Sequence, residues 1–171
     1  MKSIFHGKQE KLKPYAEAFL RKSFGVFFLL AGIGHLINFQ MTVNGAGILW
    51  TEDDMFRKIL AWCAVTALNL GGMSLFFGYK TRVGAFLVAV FLLPATHLHS
   101  VVMEIAQNSA ASLNISSTDR AQQILQTLTN IAVQGHQANV MKNLMLLCVA
   151  FYFVLVGAGP FSMDQKRLKK Q

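Results

Sequence analysis

Long apolar runs alternate with short polar stretches along most of the chain. Four runs contain no Asp, Glu, Lys or Arg, and they cover about residues 23–39, 59–78, 83–103 and 143–159. A helix needs about 20 residues to cross the hydrocarbon layer of a bilayer, and about 17 is the lower limit. Helices of a soluble bundle would keep a polar face, which these runs lack. The pattern therefore predicts an all-α integral membrane protein, built as a four-transmembrane-helix antiparallel bundle.

The polar stretches predict how these spans are connected. The "GYKTR" sequence between the second and third runs indicates a tight turn, so those spans should be antiparallel neighbours. The longest polar stretch is the third loop, residues 104–142. Within it, "SSTDRAQQILQTLTNIAVQ" (116–134) places five apolar residues at helical spacing: Ile124, Leu125, Leu128, Ile131 and Ala132. We expect an extra amphipathic helix here, on the membrane surface or over the mouth of the bundle. A solvated helix and loop fits the pattern equally well.

Composition supports a membrane protein and argues against a nucleic-acid partner. Of the 171 residues, 53% are hydrophobic and 14% are charged, whereas soluble domains carry about a quarter charged residues. The net charge of +8 does not indicate nucleic-acid binding, because the basic residues lie between apolar runs and not on one accessible face. Cys63 and Cys148 have no metal-type spacing and form no disulfide framework.

The basic residues predict the orientation. Twelve of the 16 Lys and Arg residues lie on the side of the membrane that holds the two chain termini. Four lie on the opposite side: Arg57, Lys58, Arg120 and Lys142. By the positive-inside rule both termini should be cytoplasmic, in the cell (cytoplasmic or inner) membrane. Residues 1–22 and 160–171 are then basic cytoplasmic segments around a membrane domain, 23–159. No small-x-small cleavage site closely follows the first run, so we expect a retained span and not a signal peptide.

Polar side chains inside the runs are candidate functional residues, because burying them in lipid is costly. His35 and Asn38 lie three residues apart on the first span, and therefore on one face. Thr66 and Asn69 have the same spacing on the second span, with Cys63 at the edge of that face.

Two histidines and the cysteines add to this set in the outer half of the bundle. His97 and His99 lie two apart, so they point to nearly opposite sides of a regular helix and cannot both face one ligand. At 1.5 Å per residue, Cys63 and Cys148 lie ~6 Å and His97 ~9 Å below the outer edge, with His35 near mid-membrane. A quinone ring, a metal ion or a disulfide exchange can each use such residues.

Structural roles compete with these functional ones. Asn69 and Thr66 suit interhelical hydrogen bonds, the two histidines of the third span suit interfacial water, and a cysteine in a span commonly acts as a small hydrophobe. No complete catalytic or metal-binding motif is present in the sequence. We therefore predict that His35 and His97 are catalytic and that Asn38, Thr66, Asn69 and His99 form a polar pocket within the membrane. Cys63 and Cys148 are the candidate reactive thiols, and the sequence does not indicate whether a metal is bound.

Three stretches carry a family pattern: "RKSFGVFFLLAGIGHLINF", "LNLGGMSLFFGYKTRVGAFLVAVFLLPATHLH" and "MKNLMLLCVAFYFVLVGAGPFSMD". In them the chain resembles the DoxX family of small four-span membrane proteins, over roughly residues 20–105 and 140–165. The matching positions are Arg21, Gly32, Gly71, Gly78, Thr81, Arg82, Lys142, Asn143, Leu144, Gly157, Gly159, Ser162 and Asp164. His35 stands where the family commonly has a lysine, and Asn69 near where many members have a glutamate. Chemistry that depends on that carboxylate is not expected here.

The resemblance implies a cytoplasmic-membrane protein. Some relatives are linked to quinone-coupled sulfur oxidation, and others to redox-stress complexes, metal-related operons or receptor assembly. The expected function is a redox-linked, quinone- or thiol-interacting subunit of a membrane oxidoreductase system, with quinone as the cofactor to consider. The alternative is a non-catalytic membrane partner or assembly factor that docks through the outer amphipathic helix. The expected partners are the bilayer and other membrane or periplasmic proteins; a homo-oligomer is compatible with the sequence.

Overall fold

The fold consists entirely of helices in the part of the chain that the structure describes. The computed structural model describes residues 2–50, 52–112 and 119–170, which contain no strand. The helices in chain order are α1 Lys2–Ile37, α2 Phe39–Leu49, α3 Asp54–Phe77, α4 Thr81–Ser112, α5 Asp119–Val156 and α6 Met163–Leu168.

Four of these helices, α1, α3, α4 and α5, are long and apolar enough to cross a membrane. They pack α1 against α3, α3 against α4, and α4 against α5. Large apolar side chains such as Leu30, Phe86 and Leu155 cover the outside of the bundle, where they suit contact with lipid. The predicted four-span bundle is confirmed. We call the end that holds the α3–α4 turn (78–80) and α6 the turn end, and the opposite end the loop end.

The third loop differs from the expectation. The segment 119–134 is helical, but it forms the first part of α5, which continues without a break to Val156. The expected separate helix is thus part of the fourth span, and α4 also extends past its apolar run to Ser112. Residues 135–142 contain one helix-weakening residue, Gly135, whose cost of about 1 kcal/mol is tolerated within a long packed helix. The two extensions form a helical hairpin beyond the apolar part of the bundle.

A second difference is α2, which the apolar pattern did not reveal. The first run was expected to continue to residue 39, but α1 ends at Ile37 and the chain bends at Asn38 (φ −102°, ψ 45°). The helix after the bend packs mainly on α3 and α4. Val43 anchors it, since only 2% of this side chain is exposed. As a result, α2 lies over the loop end of the bundle.

Side-chain size differs between the two halves of the bundle. Phe28, Leu68, Leu75 and Phe153 are almost fully buried and fill the half toward the turn end. In that half α1 and α3 also approach closely, since a Cβ at Gly72 would lie 2.8 Å from the Leu29 backbone nitrogen. Close packing of this kind is typical of a well-packed protein core.

Several of the family motif residues, including Arg21 and Asp164, lie at the turn end and hold three distant segments together. Arg21 is fully buried, and its Nη1 donates to the carbonyls of Leu75 (2.7 Å) and Phe76 (3.2 Å). Its Nη2 donates to the carbonyl of Phe161 at 3.3 Å. One guanidinium therefore ties α1 to the end of α3 and to the segment before α6.

The acid of the C-terminal motif completes this junction. The Asp164 carboxylate accepts hydrogen bonds from the backbone nitrogens of Lys80 (2.8 Å) and Thr81 (3.2 Å), where α4 begins. A carboxylate at a helix N-terminus satisfies free N–H groups and favours the positive end of the helix dipole. The motif thus closes the turn end of the bundle.

Candidate functional site

A partly open cavity of about 420 Å³ lies in the half of the bundle toward the loop end. Its walls come from α1 to α5, and many of the side chains there are small, including Ala31, Gly45, Ala64, Ala67 and Ala95. Small residues leave open the space that large ones fill in the other half. The volume falls within the roughly 300–1,000 Å³ of typical ligand sites.

His35 is held on the cavity wall by a residue of α2. Its Nδ1 lies 2.9 Å from the Thr42 hydroxyl, and this hydroxyl also lies 3.3 Å from the His35 carbonyl oxygen. Both contacts are satisfied together when Nδ1 donates to the hydroxyl and the hydroxyl donates to the carbonyl. This assignment leaves Nε2 with a lone pair. The ring also makes an edge contact with Phe91, with centroids 5.7 Å apart.

A second histidine on the cavity wall pairs with one from α5. The Nδ1 atoms of His99 and His136 are 3.0 Å apart, so one ring donates to the other. Such a pair can accept one additional proton at an outer nitrogen and keep its hydrogen bond. Lys142, which also lines the cavity, brings an ammonium group whose Nζ donates to Asn139 Oδ1 at 2.7 Å.

The structure brings together three of the predicted site residues. His35, Cys63 and His99 all line the cavity. His97 is exposed on the outside of α4, as its two-residue spacing from His99 predicts. Of the two histidines of the third span, His99 alone lines the cavity.

The other predicted residues lie elsewhere. Asn38 is exposed at the bend, where its side chain donates to the Gly34 carbonyl at 3.1 Å. Thr66 faces outward on α3, and Cys148 is an exposed free thiol on α5. Asn69 donates to the Val65 carbonyl at 2.8 Å and sits against Gly32, a helix-packing contact.

Four cavity residues were missed by the sequence reasoning, namely Thr42, Trp50, Lys142 and Asn143, and so was His136, which pairs with His99. Thr42 and Trp50 belong to α2 and its end, and His136 to the first half of α5, segments expected to be loops. Lys142 and Asn143 were noted as family motif positions without a site role. Their position at the end of a polar loop concealed that α5 carries them into the bundle.

The metal alternative gains no support from the geometry. No cluster of three or more His, Cys, Asp or Glu side chains occurs among the described residues. Cys63 and Cys148 are both exposed free thiols. The cavity is instead apolar, with a few polar groups on its wall.

The fold and the cavity define a small multi-pass membrane protein with an apolar, partly open cavity. The chain belongs to the DoxX family, whose family model matches residues 16–101, half of the sequence. The matched region forms the walls from α1 to α4, and α5 lies outside it. Searches among curated proteins and among solved structures return no match.

Proposed function

We propose that this DoxX-family protein is a quinone-binding subunit of a membrane oxidoreductase system. The observation that carries the proposal is the cavity at the loop end, whose apolar walls surround a histidine in a defined orientation. A quinone is a flat apolar ring with two polar oxygens, so it matches apolar walls with few polar groups. A bound quinone would supply two-electron, two-proton chemistry, with the electrons exchanged with a redox-active partner protein.

His35 takes the role of the first proton acceptor. The Thr42 contact fixes the protonated Nδ1, and Nε2 would then accept a hydrogen bond from a hydroxyl group of a reduced quinone. Imidazole suits this role because its charge changes near neutral pH. Phe91 restricts the rotation of the His35 ring from the side.

The His99–His136 pair takes the role of the second acceptor, nearer the loop end. The pair receives one proton without losing the bond between its rings. Lys142 places a positive charge on the same wall. This charge favours a ligand with electron-rich oxygen atoms and disfavours a cationic ligand. The proton path then leads toward the loop end, away from the closed turn end.

Matched histidine variants test this function. Quinones quench tryptophan fluorescence, and Trp50 lines the cavity. Titration of purified protein in mild detergent with a tailless quinone should quench Trp50 saturably in the Trp62→Phe background. His35→Ala should weaken this binding by about tenfold, as expected for one hydrogen bond in an apolar site. His97→Ala, on the outer face of α4, should bind as the parent does. If the His35→Ala and His97→Ala variants bind the quinone equally well, His35 does not contribute to quinone binding.

A second function, assembly with a membrane or periplasmic partner protein, is favoured by one feature of α5. Ile124, Leu128 and Ile131 form an apolar row on the hairpin, and they are 53%, 60% and 62% exposed. The test is the native mass of the complex extracted from source membranes. Ile124→Ser with Ile131→Ser should reduce it, whereas Gln123→Ser with Thr127→Ser should not. An unchanged mass in both variants would contradict this role.

A further inference from the structure

A second apolar depression lies on the outer surface of α3, facing the bilayer. We call it the α3 groove; Trp62, Thr66 and Leu70 of α3 and Leu87 of α4 line it. Its volume, about 420 Å³, equals that of the loop-end cavity. Trp62 and Leu70 are 53% and 54% exposed, so the groove is open along its length. The proposed ring-binding function does not use it.

The groove and the cavity share two wall residues. Cys63 and Ala67 line both spaces. They are four residues apart, and therefore lie one above the other on the same face of α3. Both side chains are small, so one turn of α3 with short side chains separates the cavity from the bilayer-facing groove.

We infer that the α3 groove holds the apolar tail of the ligand whose ring occupies the cavity, and that this ligand enters from the bilayer past Cys63 and Ala67. The inference rests on the proposed quinone-binding function and extends it to a tail of alkyl or isoprenoid type. Apart from the Thr66 hydroxyl, the lining offers little to a polar headgroup. An apolar chain gains by burial there at about 0.8 kcal/mol per methylene group.

The two tryptophans of the chain are placed to report on the two spaces separately. Trp50 lines the cavity, and Trp62 lines the α3 groove. The Trp62 ring packs on Phe39 with centroids 4.7 Å apart, which holds it in position. In the Trp62→Phe protein, Trp50 is the remaining tryptophan and reports on the cavity. In the Trp50→Phe protein, Trp62 is the remaining tryptophan and reports on the α3 groove.

The experiment compares a tailless quinone with a quinone whose alkyl tail carries bromine, a short-range quencher. Both are titrated into the two single-tryptophan proteins in mild detergent. We expect the brominated analogue to quench Trp62 saturably, at the same midpoint concentration as Trp50. Thr66→Phe, which fills the groove, should weaken binding of the tailed analogue by about tenfold and leave the tailless one within about twofold. Met145→Phe, on the outer face of α5, is the control and should change neither.

Three results would overturn the inference. If Trp50 is quenched saturably by both analogues while Trp62 is quenched only in proportion to concentration, the ring site stands and the groove does not hold the tail. If a tail-brominated phospholipid quenches Trp62 saturably and quinone does not displace it, the groove holds a lipid chain. If neither quinone quenches Trp50 saturably, the proposed function fails and the inference fails with it.

Discussion

Single residues of the same type acquire different roles through their place on a helix. His35 and His97 both lie in apolar runs, yet the first is half-buried and held by Thr42, while the second is exposed on the outside of α4. The two cysteines also differ in place: both thiols are exposed, but of the two only Cys63 lines the cavity. Residue type indicated which side chains were candidates for the site, but the packing of the helices decides which of them line the cavity.

The cysteine contrast gives a prediction. N-ethylmaleimide applied to the Cys148→Ala variant modifies Cys63 between the cavity and the α3 groove, and the added bulk should weaken quinone binding by about tenfold. The same treatment of the Cys63→Ala variant modifies Cys148 and should leave binding unchanged. Quenching of Trp50 measures both. A ligand that binds equally well to the two alkylated proteins does not pass or occupy the Cys63 position.

Among the elements, the apolar pattern predicts the spans but not their full extents. Composition shows where lipid-compatible segments lie, and all four were found. Whether a polar segment continues a helix depends on what it packs against, and α5 continues because α4 runs beside it. The bend at Asn38 that starts α2 depends on tertiary contacts such as the burial of Val43. Thr42, Trp50 and Lys142 of the cavity wall therefore lay in segments that the sequence presented as loops.

Two glycines test the account of helix packing. A Cβ at Gly135 on α5 meets nothing within 4 Å, so Gly135→Ala should stabilise the helix by about 0.5–1 kcal/mol. A Cβ at Gly72 would lie 2.8 Å from the Leu29 nitrogen and 3.0 Å from the Gly25 oxygen. Gly72→Ala should therefore push α1 and α3 apart and destabilise by about 1–3 kcal/mol. Thermal unfolding in detergent should show a higher melting temperature for Gly135→Ala and a lower one for Gly72→Ala. A lower melting temperature for both variants would contradict the open space beside Gly135 on α5.

On the scale of the whole molecule, a tightly packed half and an open half follow one another along the bundle axis. The turn end is closed by buried Arg21 and by Asp164 at the start of α4. The loop end carries the cavity, α2 and the hairpin. The sequence motifs were clearest at the turn end, because a fixed junction needs particular residues. A cavity lined by alanine and glycine leaves no comparable pattern, and this is why the site could not be located from the sequence.

The charge distribution predicts that the turn end faces the cytoplasm, so the cavity lies toward the outer leaflet. In a protein without its native cysteines, Asn108→Cys on the hairpin should react with a membrane-impermeant maleimide in intact cells. Lys170→Cys near the C-terminus should react only after the membrane is permeabilised. The reverse labelling would place the turn end outside and reverse the proposed proton path.

The most direct test of the central claim is the quinone content of the protein itself. The protein is purified from its native membranes in mild detergent, and bound quinone is extracted and measured by its absorption difference on reduction. We predict about one quinone per chain, retained in Met145→Trp on the outer face of α5 and lost in Ala64→Trp, whose indole fills the cavity. Circular dichroism confirms that both variants remain helical. Equal quinone content in the three proteins, or none in any, would contradict a quinone site in the cavity.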